Sequence, residues 1–119
     1  MSEVWRPIND REKRIVNRLL SQDFPGNIAL RIQLETARVS TIDPEGSLQF
    51  RVTGLPAAVE QRVPIEAYYF DLGMNHRPAV NLLLHVVNGM LHELEVYKDD
   101  GSSIATGLSR VDPDDLHFV

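Results

Sequence analysis

The chain begins with an amphipathic segment whose apolar residues recur every three or four positions. These residues are Ile15, Val16, Leu19 and Leu20. Their spacing predicts a helix over residues 10–21 with one face turned to the core. Asn9 and Glu12 have the spacing of a capping box, in which each side chain accepts a hydrogen bond from the other residue's backbone N–H. Pro25 and Gly26 predict a break after this helix.

Residues 28–37 fit two patterns at once. As a strand, the segment would turn these alternate residues to one side: Ile28, Leu30, Ile32 and Leu34. As a helix, it would place Leu30, Leu34 and Ala37 on one face. We predict a helix, because the segment is rich in residues that helices tolerate or favour and none of the alternating apolar residues is aromatic.

From residue 38 onward the pattern is that of strands. The predicted strands cover residues 38–42, 47–53, 65–72, 79–87 and 90–97. Pro44 and Gly46 suit a turn between the first two strands, and Asn88-Gly89 is the dipeptide favoured in a type I′ turn between the last two. Helices followed by consecutive strands predict an α+β fold, with two N-terminal helices packed on one face of a mainly antiparallel sheet of about five strands (ααβββββ).

The length of 119 residues is that of one domain. No repeat, low-complexity tract or flexible linker divides the chain, so we expect a single α+β domain over residues 1–119. No apolar run approaches the roughly 18 residues of a membrane helix, and the first residues lack a signal-peptide pattern. The absence of cysteine excludes disulfide frameworks, thiolate metal sites and cysteine nucleophiles. We therefore expect a cytoplasmic protein with no membrane partner.

The net charge of −5 is unevenly distributed along the chain. Residues 1–38 hold seven Lys and Arg against five Asp and Glu, whereas residues 39–119 hold five against twelve. This acidic balance makes nucleic acid an unexpected partner, and it could steer a basic protein towards the second part of the chain. Arg11, Arg14 and Arg18 share one face of the first predicted helix. They form either a solvated helix face or a stripe that binds phosphate or another acid.

The last predicted hairpin carries the most suggestive pattern for metal chemistry. With a two-residue turn at Asn88 and Gly89 and regular pairing, His85 faces His92 across the two strands. Directly opposed side chains have Cβ atoms about 4.5–5.5 Å apart, so both imidazoles could bind one metal ion. The alternative is a contact between two half-buried histidines whose protonation depends on pH.

The same pairing places carboxylates beside leucines on the other side of the hairpin. Glu93 faces Leu84, Glu95 faces Leu82, and Glu66 on the preceding strand could join them. Apolar surface beside carboxylates is typical of a partner-binding face or a dimer interface. The predicted partner-binding residues are Glu66, Leu82, Leu84, Glu93, Glu95 and Tyr97. Alternatively, the carboxylates could serve acid–base hydrolysis or protect an outer strand against aggregation.

Short turn, helix and hairpin motifs are distributed over most of the chain, from about Asp10 to Ile104. They are Asp23-Phe24-Pro25-Gly26, Leu30-Arg31, Gln33-Leu34, Ala37-Arg38-Val39, Val63-Pro64-Ile65-Glu66-Ala67 and the hairpin from Leu82 to Lys98. In these motifs the chain resembles a family of small uncharacterised bacterial proteins, a domain of unknown function. The resemblance implies a helical second segment and a bacterial, cytosolic source. It implies no catalytic residue.

No familiar catalytic template accompanies these features. The sequence contains no G-x-S-x-G motif, P-loop, G-x-G-x-x-G motif or H-E-x-x-H motif. We therefore expect a non-enzymatic protein-interaction module without a cofactor. It would act as a homodimer or, by fold-level analogy, as an immunity-type inhibitor of a basic partner such as a nuclease toxin. The alternative is a small metal- or ligand-binding protein or hydrolase that uses His85, His92 and the carboxylates of the sheet.

Overall fold

Two helices cover an antiparallel sheet of seven strands in the computed structural model, which describes residues 4–73 and 78–119. The helices are α1 (Asp10–Leu20) and α2 (Asn27–Leu34). The strands are β1 (Arg6–Pro7), β2 (Arg38–Thr41), β3 (Leu48–Arg51), β4 (Ile65–Phe70), β5 (Ala79–Val87), β6 (Met90–Lys98) and β7 (His117–Phe118). They lie side by side in the order β1-β2-β3-β6-β5-β4-β7. Neither described helix is long and apolar enough to cross a membrane.

The α+β class and the antiparallel sheet are as predicted, but the number of strands is larger. All five predicted strands are present, and the ambiguous segment forms α2. The additional strands, β1 and β7, are two residues long and lie at the two edges of the sheet. A strand this short has no alternation of apolar and polar residues, so a periodicity argument cannot detect it.

The first helix starts at the predicted capping box. Asn9 Oδ1 accepts a hydrogen bond from the Glu12 N–H at 2.8 Å, and the Glu12 carboxylate accepts one from the Asn9 N–H at 3.2 Å. Arg6 also donates to both carboxylate oxygens of Glu12, each at 2.7 Å. Glu12 therefore links the start of α1 to the edge strand β1.

Both helices contribute apolar side chains to one core against a single face of the sheet. The helical contributors include Ile15, Val16, Leu19, Leu20, Leu30 and Leu34, all fully buried. Along β5, every second residue is buried and the residues between are partly exposed. Leu82 and Leu84 are on the buried side at 0% exposure, so a partner cannot contact them. Burying each of these side chains stabilises the fold by roughly 2 kcal/mol. Their predicted place in a partner-binding surface is therefore wrong.

The hairpin of β5 and β6 has the predicted turn but not the predicted register. Asn88 and Gly89 both have positive φ angles, 52° and 75°, as a type I′ turn requires. Beyond Val86, which pairs with Leu91, a β-bulge inserts one extra residue into β6, so His85 lies opposite Glu93.

The bulge follows from the positions of two buried leucines. Leu91 and Leu94 are 3% and 0% exposed, yet they are three residues apart. A regular strand turns residues three apart to opposite faces, so both can reach the core only if one residue is added between them. The extra residue is His92, and the predicted pairs of His85 with His92, Leu84 with Glu93 and Leu82 with Glu95 are wrong.

Candidate binding site on the open sheet face

No described helix packs on the second face of the sheet, which we call the open face. Its central part carries Glu66, Leu83, His85, Glu93, Glu95 and Tyr97. Leu83 lies between Glu66 on one neighbouring strand and Glu95 on the other. Four of the predicted partner-binding residues therefore share this face: Glu66, Glu93, Glu95 and Tyr97. The side chain of Tyr97 is 43% exposed.

His85 is the hydrogen-bonded centre of the open face. Its Nδ1 atom lies 3.2 Å from Arg62 Nε, and its Nε2 atom lies 2.8 Å from Glu95 Oε1. A guanidinium nitrogen can only donate, so Nδ1 must be the acceptor. The proton of the neutral imidazole then resides on Nε2 and is donated to Glu95. This chain of contacts fixes both the tautomer and the ring orientation of His85.

Glu93 joins this pair because of the β-bulge. With the extra residue in β6, Glu93 lies opposite His85 and on the same face as Glu95. One ligand atom from each of His85, Glu93 and Glu95 lies within 4.8 Å of the other two, and all three residues are partly buried. Imidazole nitrogen and carboxylate oxygen are both ligands of Zn²⁺ in proteins.

Of the two histidines predicted to bind metal, only His85 belongs to this group. His92 is the inserted residue of the bulge. Among the described residues, it does not belong to the group whose ligand atoms lie close enough to hold one metal ion. The sequence did contain a signal for this difference. Leu91 and Leu94 cannot both face inward on a regular strand, and recognising that spacing would have moved Glu93 opposite His85.

A basic edge of the open face was not predicted. It consists of Arg38 on β2, Arg51 on β3 and the neighbouring Trp5. Arg38 and Arg51 are paired across the strands, and Gln49, two residues before Arg51, lies opposite Glu93. The Arg51 guanidinium stacks 4.1 Å from the centre of the Trp5 ring. The basic edge and the glutamates therefore lie on neighbouring strands of one face.

The three arginines of α1 do not form one stripe. Arg11 and Arg14 line a small polar pocket of about 170 Å³ together with Arg110, and Arg11 donates to the Ser109 carbonyl at 3.2 Å. Arg18 instead places its guanidinium 5.0 Å from the centre of the Phe118 ring. Both arrangements are on the helix side of the molecule, away from the open face.

A separate buried ion pair holds the segment that follows β6. Asp71 is 1% exposed and accepts hydrogen bonds from Lys98 Nζ at 2.8 Å and from the N–H groups of Ala105 and Thr106 at 2.9 and 2.8 Å. Burial alone would raise the pKa of Asp71, but these hydrogen bonds and the Lys98 charge hold it well below its ordinary value. The carboxylate is surrounded by donors from the protein itself, so its role is structural.

Comparison with known proteins places the chain in a family. A family model described as a domain of unknown function (DUF6984) matches residues 5–107. The comparison with curated proteins found no match, and neither did the comparison with solved structures. The family match covers most of the chain and confirms the resemblance drawn from the sequence motifs. The protein belongs to the DUF6984 family, a domain of unknown function.

Proposed function

We propose that the protein is a protein-interaction module that self-associates through its open face. The observation that carries the proposal is that this face contains opposite charges in adjacent zones. Glu66, Glu93 and Glu95 make its centre acidic, and the basic edge contributes Arg38 and Arg51. A surface that meets its own copy about a two-fold axis must be complementary to itself. An acidic zone beside a basic zone satisfies that condition.

The strand order makes the pairing geometrically simple. A two-fold axis parallel to the strands and between β3 and β6 places β3 of one copy above β6 of the other. Packed sheets lie about 10 Å apart, a distance that an arginine and a glutamate can span together. Gln49 pairs with Glu93, so Arg51 of each copy would then lie two residues along the strand from Glu93 of the other, within reach of the two side chains. Leu83 and the half-exposed Tyr97 supply apolar area to the same contact.

Sedimentation velocity over a wide range of protein concentration tests this proposal. In the presence of a chelator, we expect a species of twice the monomer mass of 13.5 kDa. Its population should fall as salt is added, because screening weakens the charge contacts. A chain that remains monomeric at every concentration would contradict self-association. Binding of a separate basic protein by this monomer would assign the acidic centre to a foreign partner instead.

Charge-reversed variants make the test specific. Glu93→Lys should be monomeric, and so should Arg38→Glu combined with Arg51→Glu. These changes spare the contact between His85 and Glu95. Mixing the two variants should restore association, because each then carries the charge that the other requires. As a control, Arg31→Glu on the exposed side of α2 should associate like the unaltered chain. Failure of the mixture to associate would refute the proposed pairing.

A further inference from the structure

We infer that His85, Glu93 and Glu95 form a binding site for a divalent transition-metal ion of the Zn²⁺ type. The inference is independent of the proposed function, since it concerns a single copy of the chain. It rests on the three ligand atoms that converge on the open face. The β-bulge is the feature that brings Glu93 to this place, and bulges are known to redirect side chains next to functional sites.

The separations of the ligand atoms are close to those that one ion requires. In the tetrahedral geometry of Zn²⁺, two ligand atoms that are each about 2.1 Å from the ion lie about 3.4 Å apart. The three atoms lie within 4.8 Å of one another, so closure requires a movement of at most about 1.4 Å. The Glu95 side chain is 40% exposed and can make this adjustment without disturbing the core.

The mixture of ligands indicates which ions the site would select. Imidazole favours zinc and other transition metals, whereas Mg²⁺ and Ca²⁺ prefer sites made of oxygen alone. One nitrogen and two carboxylate groups therefore favour Zn²⁺ over Mg²⁺ or Ca²⁺. Two carboxylates and a neutral imidazole also compensate the charge of the ion. Three protein ligands leave a fourth coordination position for water.

Arg62 opposes metal binding in the geometry described above. An ion on His85 Nε2 requires the lone pair of that atom, so the proton of the neutral ring moves to Nδ1. A protonated Nδ1 can no longer accept the hydrogen bond from Arg62 Nε. The ion must therefore displace the Arg62 side chain. Arg62 is exposed to solvent, so its side chain can move away. Glu95 exchanges its hydrogen bond from His85 for a bond to the metal.

Calorimetric titration of the untagged protein with Zn²⁺ tests the site. The unaltered chain should bind one ion per monomer and show a higher melting temperature, while Mg²⁺ and Ca²⁺ should have no effect. Glu95→Gln and His85→Ala should abolish binding, and Glu93→Gln should weaken it. Removing the competing cation with Arg62→Gln should tighten binding by about tenfold, the scale on which groups next to a ligand change metal affinity.

His92→Asn is the matched control, because it removes the other histidine of the hairpin and should leave Zn²⁺ affinity unchanged. Loss of binding in His92→Asn together with full binding in Glu93→Gln would overturn the proposed ligand set. Absence of binding by both the unaltered chain and Arg62→Gln would overturn the site itself. If His85→Ala does not fold, Glu95→Gln provides the same test.

The same titration of the variant with Arg38→Glu and Arg51→Glu separates metal binding from self-association. That variant should bind Zn²⁺ normally while remaining monomeric, because neither arginine belongs to the ligand set. The two proposals can therefore fail independently of each other.

Discussion

Replacing Asp71 by alanine should destabilise the fold by about 3–5 kcal/mol, the usual consequence of removing one member of a buried ion pair. This loss exceeds the roughly 0.5–3 kcal/mol that most single substitutions cost, because two kinds of buried group would lose their partner. The Lys98 side chain is only 10% exposed, and the substitution would leave its ammonium group without the carboxylate. The N–H groups of Ala105 and Thr106 would lose their acceptor as well.

Urea unfolding at neutral pH measures this effect as a change in the free energy of unfolding. Lys98→Met should cost less than Asp71→Ala, because Asp71 would retain the hydrogen bonds from backbone N–H groups. The double variant should show a coupling energy between the two positions of about 0.5–3 kcal/mol, as residues in direct contact do. A loss of less than about 0.5 kcal/mol for Asp71→Ala, as at an ordinary surface position, would refute this reasoning.

The pH dependence provides a second check on Asp71. Its pKa is lower in the folded protein than in the unfolded chain, so the folded state binds this proton less readily. The stabilisation is complete at pH values above the unfolded pKa of about 4 and is lost as the pH falls below it. The difference in stability between the unaltered chain and Asp71→Asn should therefore shrink below about pH 4. A constant difference down to strongly acidic pH would contradict the assignment.

Two further substitutions test other contacts. The Tyr69 hydroxyl donates a hydrogen bond to the Thr106 carbonyl at 2.7 Å. Burial and the nearby Asp71 charge raise the pKa of Tyr69 in the folded protein. The neutral hydroxyl therefore stabilises the fold below about pH 10, and this contribution is lost above that pH. Tyr69→Phe should lower the free energy of unfolding by about 1 kcal/mol at neutral pH. In urea titrations at alkaline pH, this variant should lose less stability than the unaltered chain as the pH rises. An equal loss of stability in both proteins would contradict this assignment. Gly89→Ala should lower the melting temperature more than Gly101→Ala does. Both glycines have positive φ angles, but only at Gly89 would the new Cβ lie 2.5 Å from the Ala57 carbonyl oxygen. Equal costs would exclude a steric contribution.

The elements of the fold that local patterns specify could be predicted from the sequence. The capping box of Asn9 and Glu12, the apolar stripe of α1 and the turn at Asn88-Gly89 each involve residues close together in the chain. The second helix was less certain, because its apolar residues satisfy two periods. Two-residue edge strands escaped prediction, since their pairing depends on a distant strand and carries no periodic signal.

The candidate site was only partly predictable, because a register shift of one residue changes which side chains meet. Glu66, Glu93, Glu95 and Tyr97 do share a face, although their predicted neighbours were incorrect. The predicted register placed His85 on the opposite face, whereas the β-bulge brings it to the same face as these residues. The basic edge depends on contacts between β2, β3 and the segment before β1, which no local pattern reveals. The contact between Arg62 and His85 likewise joins a loop to a strand 23 residues away.

The shortness of β1 and β7 restricts the ways in which copies of the chain can assemble. Fibrillar aggregation usually begins when an exposed edge offers a long row of free N–H and C=O groups to an incoming strand. Here each edge strand provides two residues, and Pro7 in β1 has no N–H to donate. The fold therefore offers little template for open-ended growth by strand addition at β1 and β7. A partner that meets the face of the sheet instead can close into an assembly of fixed size.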